Sequence, residues 1–165
     1  MNKKIEKNIK IGIVILAVAA AAFWGFSKIN KSDNLPDSNN QERQNKIISN
    51  RGIHWHSEIK IKILGENQKI PSNIGLGAVH SPLHTHDDSG VIHLEFKGIV
   101  SEKDIKLKKF FEVWEKQFNS NCIFDKCNGE EGRVKMLVNG SENSEFENYM
   151  MKDKDKIEII FEKNN

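Results

Sequence analysis

The sequence predicts an α+β protein: an N-terminal transmembrane helix followed by a small mixed β-sheet that packs on one amphipathic helix. Three observations lead to this class. An uncharged apolar run lies near the N-terminus. Several later segments alternate apolar and polar residues, as half-buried strands do. One further stretch repeats apolar residues every three or four positions, as a helix with one buried face does.

The apolar run, from Ile11 to Phe26, holds sixteen residues without a charge. It is a little shorter than the roughly 20 residues that span a bilayer core, and flanking lysines can extend it. Four lysines precede the run and two follow it, which predicts a cytoplasmic N-terminus because cytoplasmic flanks carry the excess positive charge. We therefore expect a cytoplasmic basic segment at 1–10 and a single-pass membrane anchor at 11–27.

A cleaved signal peptide is the alternative interpretation of the same run, because Ala17 and the alanines at 19–22 offer a cleavage site. Both interpretations place the following residues outside the cytoplasm, with the protein at the cell membrane in the first case. Residues 28–51 are polar and contain too few apolar side chains to build a core, which predicts a flexible linker. An extracytoplasmic α+β domain is then expected at 52–163.

Charge is unevenly distributed along the chain. Residues 1–52 hold nine Lys and Arg against four acids, whereas residues 53–165 hold sixteen against nineteen. The predicted domain therefore lacks the basic surface that a nucleic-acid-binding domain needs. We expect the membrane as one partner, through the N-terminal helix, and no nucleic acid.

Alternation predicts the strands of the domain. In the first strand the isoleucines and Trp55 fall on one side, and histidine, lysine and glutamate fall on the other. A return strand is expected after a turn at 64–68, and an irregular loop is expected at 75–90. The predicted strands are 53–63, 69–74, 91–96, 134–138 and 157–161.

Residues 104–118 predict the helix, whose apolar positions fall on one stripe. Ser101 and Asp104 resemble a capping pair at its start. We expect one face of the sheet to pack on this stripe and the other face to stay open to solvent. The residues of the stripe are Leu107, Phe110, Phe111, Trp114 and Phe118.

The C-terminal residues resemble the last part of β-grasp domains such as the ubiquitin-like sulfur carriers. The resemblance is carried by VNG at 138–140 and YMMKDKDKIEII at 149–160. It implies a β-grasp-like fold for this part of the chain. Lys154 stands where these relatives have glycine, and the chain ends in Lys163-Asn164-Asn165 instead of Gly-Gly, so their carrier chemistry does not transfer.

All six histidines lie between positions 54 and 93, and four of them form two His-x-His pairs. Residues two apart on a strand share a face, so His54 and His56 share the polar face of their strand, and His93 and Glu95 share that of theirs. If the two strands are neighbours, three imidazoles meet on the open side of the sheet. The loop from 80 to 88 can then add histidines or carboxylates.

The sequence therefore predicts a transition-metal site, because imidazole and carboxylate ligands suit zinc, copper, iron and nickel. Zinc and copper are the leading candidates. The predicted ligands are His54, His56, His84, His86 and His93, with His80, Asp87 and Asp88 as further candidates.

Two other functions fit the same residues. In the first, the histidines bond to backbone groups and the domain is an interaction or assembly module that docks a protein partner on the open face. In the second, the domain is a metal-dependent enzyme in which an aspartate acts as a general base. No catalytic signature is present in the sequence, and we assign no catalytic residue.

Three segments together resemble a largely uncharacterised family of small secreted or membrane-anchored bacterial and archaeal proteins. They are HWHSEIKI, PLHTHDDSGVIHLE and KKFFEVWEKQF. The resemblance covers most of residues 53–161 and implies one domain, with no established activity or metal.

Cys122 and Cys127 are expected to form a disulfide, since they lie close together in a segment placed outside the cytoplasm. A pair of thiolate metal ligands is the alternative.

Overall fold

Segments that alternate apolar and polar residues form most of the structure. It is a computed structural model and describes residues 46–164. These residues form eleven strands, one α-helix (α1, Leu107–Trp114) and one 3₁₀ helix (Phe146–Asn148). The strands are β1 Ile47–Ser49, β2 Ile53–Ile63, β3 Glu66–Gln68, β4 Leu83–His84, β5 Val91–Phe96, β6 Val100–Ser101, β7 Cys122–Ile123, β8 Lys126–Cys127, β9 Arg133–Val138, β10 Ser141–Glu142 and β11 Lys156–Glu162.

Strand β2 lies at the middle of the main sheet, whose order is β10-β9-β11-β2-β5-β4, with β3 also paired to β2. Its second half pairs in parallel with β11, where Ile59 lies opposite Ile157. Its first half pairs antiparallel with β5, where His56 lies opposite His93. The sheet is therefore mixed, and β2 joins a part rich in lysine and glutamate to a part rich in histidine.

The core lies on one face of this sheet. Successive strand residues point to opposite faces, so alternate residues of β2, β5, β9 and β11 face the core and are buried or partly buried. Helix α1 packs on this face through Leu107, Phe110 and Phe111, which are all at most 2% exposed. The opposite side of β2 and β5 carries the polar residues and is called the open face below.

Helix α1 is shorter than the predicted 104–118. It begins only at Leu107 because the backbone of the preceding residues pairs with another segment: the carbonyl of Ile105 accepts from the amide of Met151 at 2.9 Å. It ends at Glu115, which adopts a left-handed conformation. The Ser101–Asp104 pair forms, but it closes the turn before the helix.

The predicted α+β class is wrong, because the described residues are mostly β-sheet and hold a single eight-residue helix. In the described part of the chain no helix has the length and apolarity to cross a membrane. The fold prediction also included a transmembrane helix. That span, 11–27, and the basic segment at 1–10 lie outside the described residues.

Two segments near the ends of β2 differ from expectation. Strand β1 falls inside the segment predicted to be a linker, where it pairs with β6. The return strand is β3, directly after the turn, and residues 69–74 form no strand. Leu64 and Gly65 both have positive φ angles, as in the two-residue turns that bring a chain straight back along a hairpin.

The two cysteines lie opposite each other in the β7–β8 hairpin, with their sulfur atoms at disulfide distance. No histidine lies in this hairpin. The cysteines are therefore placed as a cross-strand pair and not as metal ligands.

Candidate metal centre

Three neighbouring strands bring four of the histidines together. In the register of β2, β5 and β4, His56 lies opposite His93, and His93 lies opposite His84. Two residues along both strands, His54 lies opposite Glu95. Side chains directly opposite on neighbouring strands stand about 4.5–5.5 Å apart at Cβ. The imidazoles of positions 56, 93 and 84 therefore form a row across the open face.

His93 lies at the centre of the cluster. Its ring centroid is 4.4 Å from that of His86, 4.6 Å from that of His56 and 5.3 Å from that of His84. His54 lies at the outer end, 4.9 Å from His56. All five histidines predicted as ligands thus lie in one continuous group.

Thr85 fixes the loop that carries His84 and His86. Its side chain is fully buried; Oγ1 donates to the carbonyl of Pro71 at 2.9 Å and accepts from the amide of Ile74 at 3.1 Å. The two histidines flank this anchor in sequence, and their Nε2 atoms approach to 3.3 Å. The buried threonine therefore holds the pair in place.

Glycines allow the same loop to lie close against the sheet. Gly90 has a φ of +84°, and a Cβ atom there would overlap the carbonyl oxygen of Ile59 in β2. A Cβ atom at Gly75, whose φ is +75°, would come similarly close to the carbonyl oxygen of Leu83. Since L-residues rarely adopt such angles, glycine at these positions sets where the histidine loop enters β4 and β5.

The orientation of His84 leaves one of its nitrogens available. Nδ1 lies 3.1 Å from the carbonyl oxygen of Ser81, which can only accept a hydrogen bond. Nδ1 of a neutral ring therefore carries the proton and Nε2 carries the lone pair. A ring nitrogen bonded to a backbone carbonyl in this way is typical of metal-ligating histidines.

Glu95 adds a carboxylate to the cluster. Its Oε1 lies 3.2 Å from Nε2 of His54, 3.6 Å from Nδ1 of His93 and 4.0 Å from Nε2 of His84. Glu95 was predicted to lie on the polar face of its strand but was not among the predicted ligands. Its position two residues after His93 was the signal that could have identified it.

The ligand atoms fall into two overlapping groups that could hold a metal ion. The inner group consists of His84, His86, His93 and Glu95, and the outer group of His54, His56 and His93; within each, the ligand atoms lie within 4.8 Å of one another. A tetrahedral zinc ion with bonds of roughly 2.0–2.1 Å separates two ligand nitrogens by about 3.3 Å. The two Nε2 atoms of the inner group already have this spacing.

The environment of His93 favours its neutral form. Burial lowers the pKa of His93, as do the neighbouring rings of His56, His86 and His84, while Glu95 opposes them. Its Nδ1 is buried and has no hydrogen-bond partner among the described residues. A neutral imidazole is the form that binds metal ions.

The three further candidates do not join either group. His80 is exposed and lines a pocket beside the inner group, together with Lys97. Asp87 accepts hydrogen bonds from the amide and hydroxyl of Ser89, which lower its pKa. Asp88 pairs with Lys69 at 2.8 Å. The aspartates therefore already have partners outside the cluster.

Comparison of this chain with protein-family models, with curated proteins and with solved structures finds no match. Function is consequently inferred from the chemistry and geometry of the site.

Proposed function

We propose that this protein binds one divalent transition-metal ion through His84, His86, His93 and Glu95. The observation that carries the proposal is the approach of their four ligand atoms to within 4.8 Å of one another. Three imidazole nitrogens and one carboxylate oxygen suit zinc and copper(II). Zinc and copper are therefore the ions to test first.

The hydrogen bonding of the rings supports a metal ion over purely structural histidines. A neutral imidazole has one donor and one acceptor nitrogen. His84 uses its donor on Ser81, and its acceptor Nε2 faces Nε2 of His86. Nδ1 of His93 is buried and has no partner among the described residues, which costs free energy. A bound ion would give such nitrogens a common partner.

The pocket beside the inner group supports an accessible site. Three of the four proposed ligands, His84, His86 and Glu95, line it. An ion held by them would face the pocket on one side, where it could bind an external ligand.

We also propose that the protein works in an oxidising compartment outside the cytoplasm. The Cys122–Cys127 pair at disulfide distance supports this location, because disulfides persist in such compartments. Thiol labelling of freshly lysed cells tests it: we expect no free thiol before reduction and two after it. Two free thiols without a reductant would contradict the location.

The metal proposal is tested by titrating the full-length chain, without a polyhistidine tag, with zinc and copper(II) in competition with a chromophoric chelator. We expect one ion per chain and a dissociation constant below about 1 μM. The double variant His84→Ala/His86→Ala should bind at least about 100-fold more weakly.

The matched control is Lys60→Ala/Lys62→Ala, which changes two side chains of the same strand that point to the same face as the β2 histidines. It should bind like the unchanged chain. A chain that binds no ion, or a histidine double variant that binds as tightly as the control, would contradict the proposal.

A further inference from the structure

Solvent exposure differs along the row of histidines, and both groups have exposed members, which in the inner group are His86 and Glu95. The side chain of His54 is 65% exposed, that of the shared His93 is 18% exposed, and that of His84 is 6% exposed. Both groups could hold an ion, and they have His93 in common. The outer histidines are therefore a second set of ligands, which runs from the exposed His54 to the less exposed His93 beside the buried His84.

We infer that the outer group is a second, exposed position for the same ion, occupied while the ion enters or leaves the inner group. The inference rests on the proposed function and extends it from a binding site to an exchange path. The ion is a divalent transition-metal ion. A carrier in solution delivers it to His54 and His56 or takes it from them.

The shared ligand, His93, is the first reason to expect that the cluster binds one ion at a time and not two. A neutral imidazole has a single lone pair, because its other ring nitrogen carries a proton. His93 can therefore bind an ion in the inner group or an ion in the outer group, but not both at once. Without His93 the outer group keeps only two histidines.

The charge of the cluster is the second reason. Among the six clustered side chains only Glu95 is an acid. Two divalent ions at such short separation would repel each other strongly, with one carboxylate to offset them. The nearby Asp87 accepts hydrogen bonds from Ser89 and is not a member of either group.

Distances within the cluster allow stepwise transfer. The ring of His93 lies 4.6 Å from His56 and 4.4 Å from His86, and so contacts one member of each set. Oε1 of Glu95 lies 3.2 Å from Nε2 of His54 and 4.0 Å from Nε2 of His84. An ion that moves inward can therefore keep His93 while it exchanges the β2 histidines for those of the loop and gains Glu95, which lies beside both sets.

The test uses copper(II) delivered as its nitrilotriacetate complex to the full-length chain and to two double variants. The unchanged chain should take up one ion. His54→Ala/His56→Ala should also take up one, with an affinity within about threefold of the unchanged chain and a transfer rate at least about tenfold lower. His84→Ala/His86→Ala should hold one ion at the outer position, at least about 100-fold more weakly.

Each alternative result overturns the inference. Two ions per unchanged chain would indicate a pair of simultaneous sites. Equal transfer rates in the unchanged chain and in His54→Ala/His56→Ala would show that the outer histidines have no part in exchange. Failure of His84→Ala/His86→Ala to bind any ion, with circular dichroism showing a folded chain, would remove the outer position.

The proposed function and the inference fail in different ways. If the unchanged chain takes up no ion, both fail. If it takes up one ion and loses it in His84→Ala/His86→Ala, the proposed function stands and only the inference fails. The variant His54→Gln/His56→Gln is a second check on the transfer rate, with polar side chains that still interact with solvent.

Discussion

The two halves of β2 present different chemistry on the same open face. In the second half, Glu58 pairs with Lys60 at 2.8 Å, and Lys62 pairs with Glu158 of β11 at 3.5 Å. Beside the first half, the two histidines of β2 join three from β4, β5 and the loop, and the carboxylate of Glu95 approaches three of these five rings. Paired charges in contact with water need no further partner, whereas a buried ring nitrogen without a hydrogen bond, such as Nδ1 of His93, does. The comparison indicates why only the histidine half is a candidate site.

The largest expected difference between the halves concerns stabilisation by metal. A ligand at 100 times its dissociation constant stabilises the folded state by about 2.7 kcal/mol. Zinc at that concentration should raise the melting temperature of the unchanged chain and of Lys60→Ala/Lys62→Ala by several degrees, and EDTA should reverse it. Differential scanning calorimetry measures the melting temperatures. The same rise in His84→Ala/His86→Ala would show that the stabilisation does not come from the histidine half.

Thr85→Val changes the support of the histidine half without touching a ring. Valine has nearly the same shape but leaves the buried amide of Ile74 without its acceptor, which should cost about 1–3 kcal/mol of stability. Because the anchor holds the loop, we expect metal affinity to fall by about tenfold. Thr85→Ser, which keeps the hydroxyl, is the control. Unchanged affinity in the valine variant would show that Thr85 does not position the ligands.

Acidification should lower the free energy of unfolding through the histidine half and not through the charged half, and this effect should be smaller than those above. The pKa of His93 is lower in the folded chain than the roughly 6.5 of an unfolded one, so the unfolded state binds more protons below that pH. The stabilising contribution is present above about pH 6.5 and is lost as pH falls through the lower folded value.

Urea unfolding of the metal-free chain at several pH values between about 7.5 and 5 measures this loss. His93→Asn should weaken the pH dependence, whereas Lys60→Ala/Lys62→Ala should keep it because lysines stay protonated throughout. Identical slopes in the unchanged chain and in His93→Asn would contradict the assignment.

The smallest effect is expected in the charged half. Removing Lys60 and Lys62 breaks two exposed ion pairs, which contribute little to stability. The melting temperature should stay within about 2 °C of that of the unchanged chain, with and without zinc. A larger loss would show that the charged half also depends on its partners.

Local patterns predicted the central strands of the fold but not its class. Alternation predicts β2 and β5 with the bounds that the structure has, because each of these strands has one buried face. The helix proved shorter because Ile105 pairs with Met151, a contact that no local pattern signals. The parallel pairing of β2 with β11 joins residues about a hundred positions apart, so it too has no local signal.

The site was predictable where it depends on alternation and unpredictable where it depends on register. His54, His56 and His93 were expected on one face, since residues two apart on a strand share it. That His84 would join them follows from β4, a strand of only two residues within a predicted loop. The reach of Glu95 to three rings follows from its place opposite His54.

X-ray absorption spectroscopy of the zinc-loaded full-length chain tests the metal site most directly. We expect four nitrogen or oxygen neighbours at about 2.0–2.1 Å with scattering from three imidazole rings, reduced in His84→Ala/His86→Ala. A spectrum without imidazole scattering, or one that is unchanged in that variant, would contradict the account.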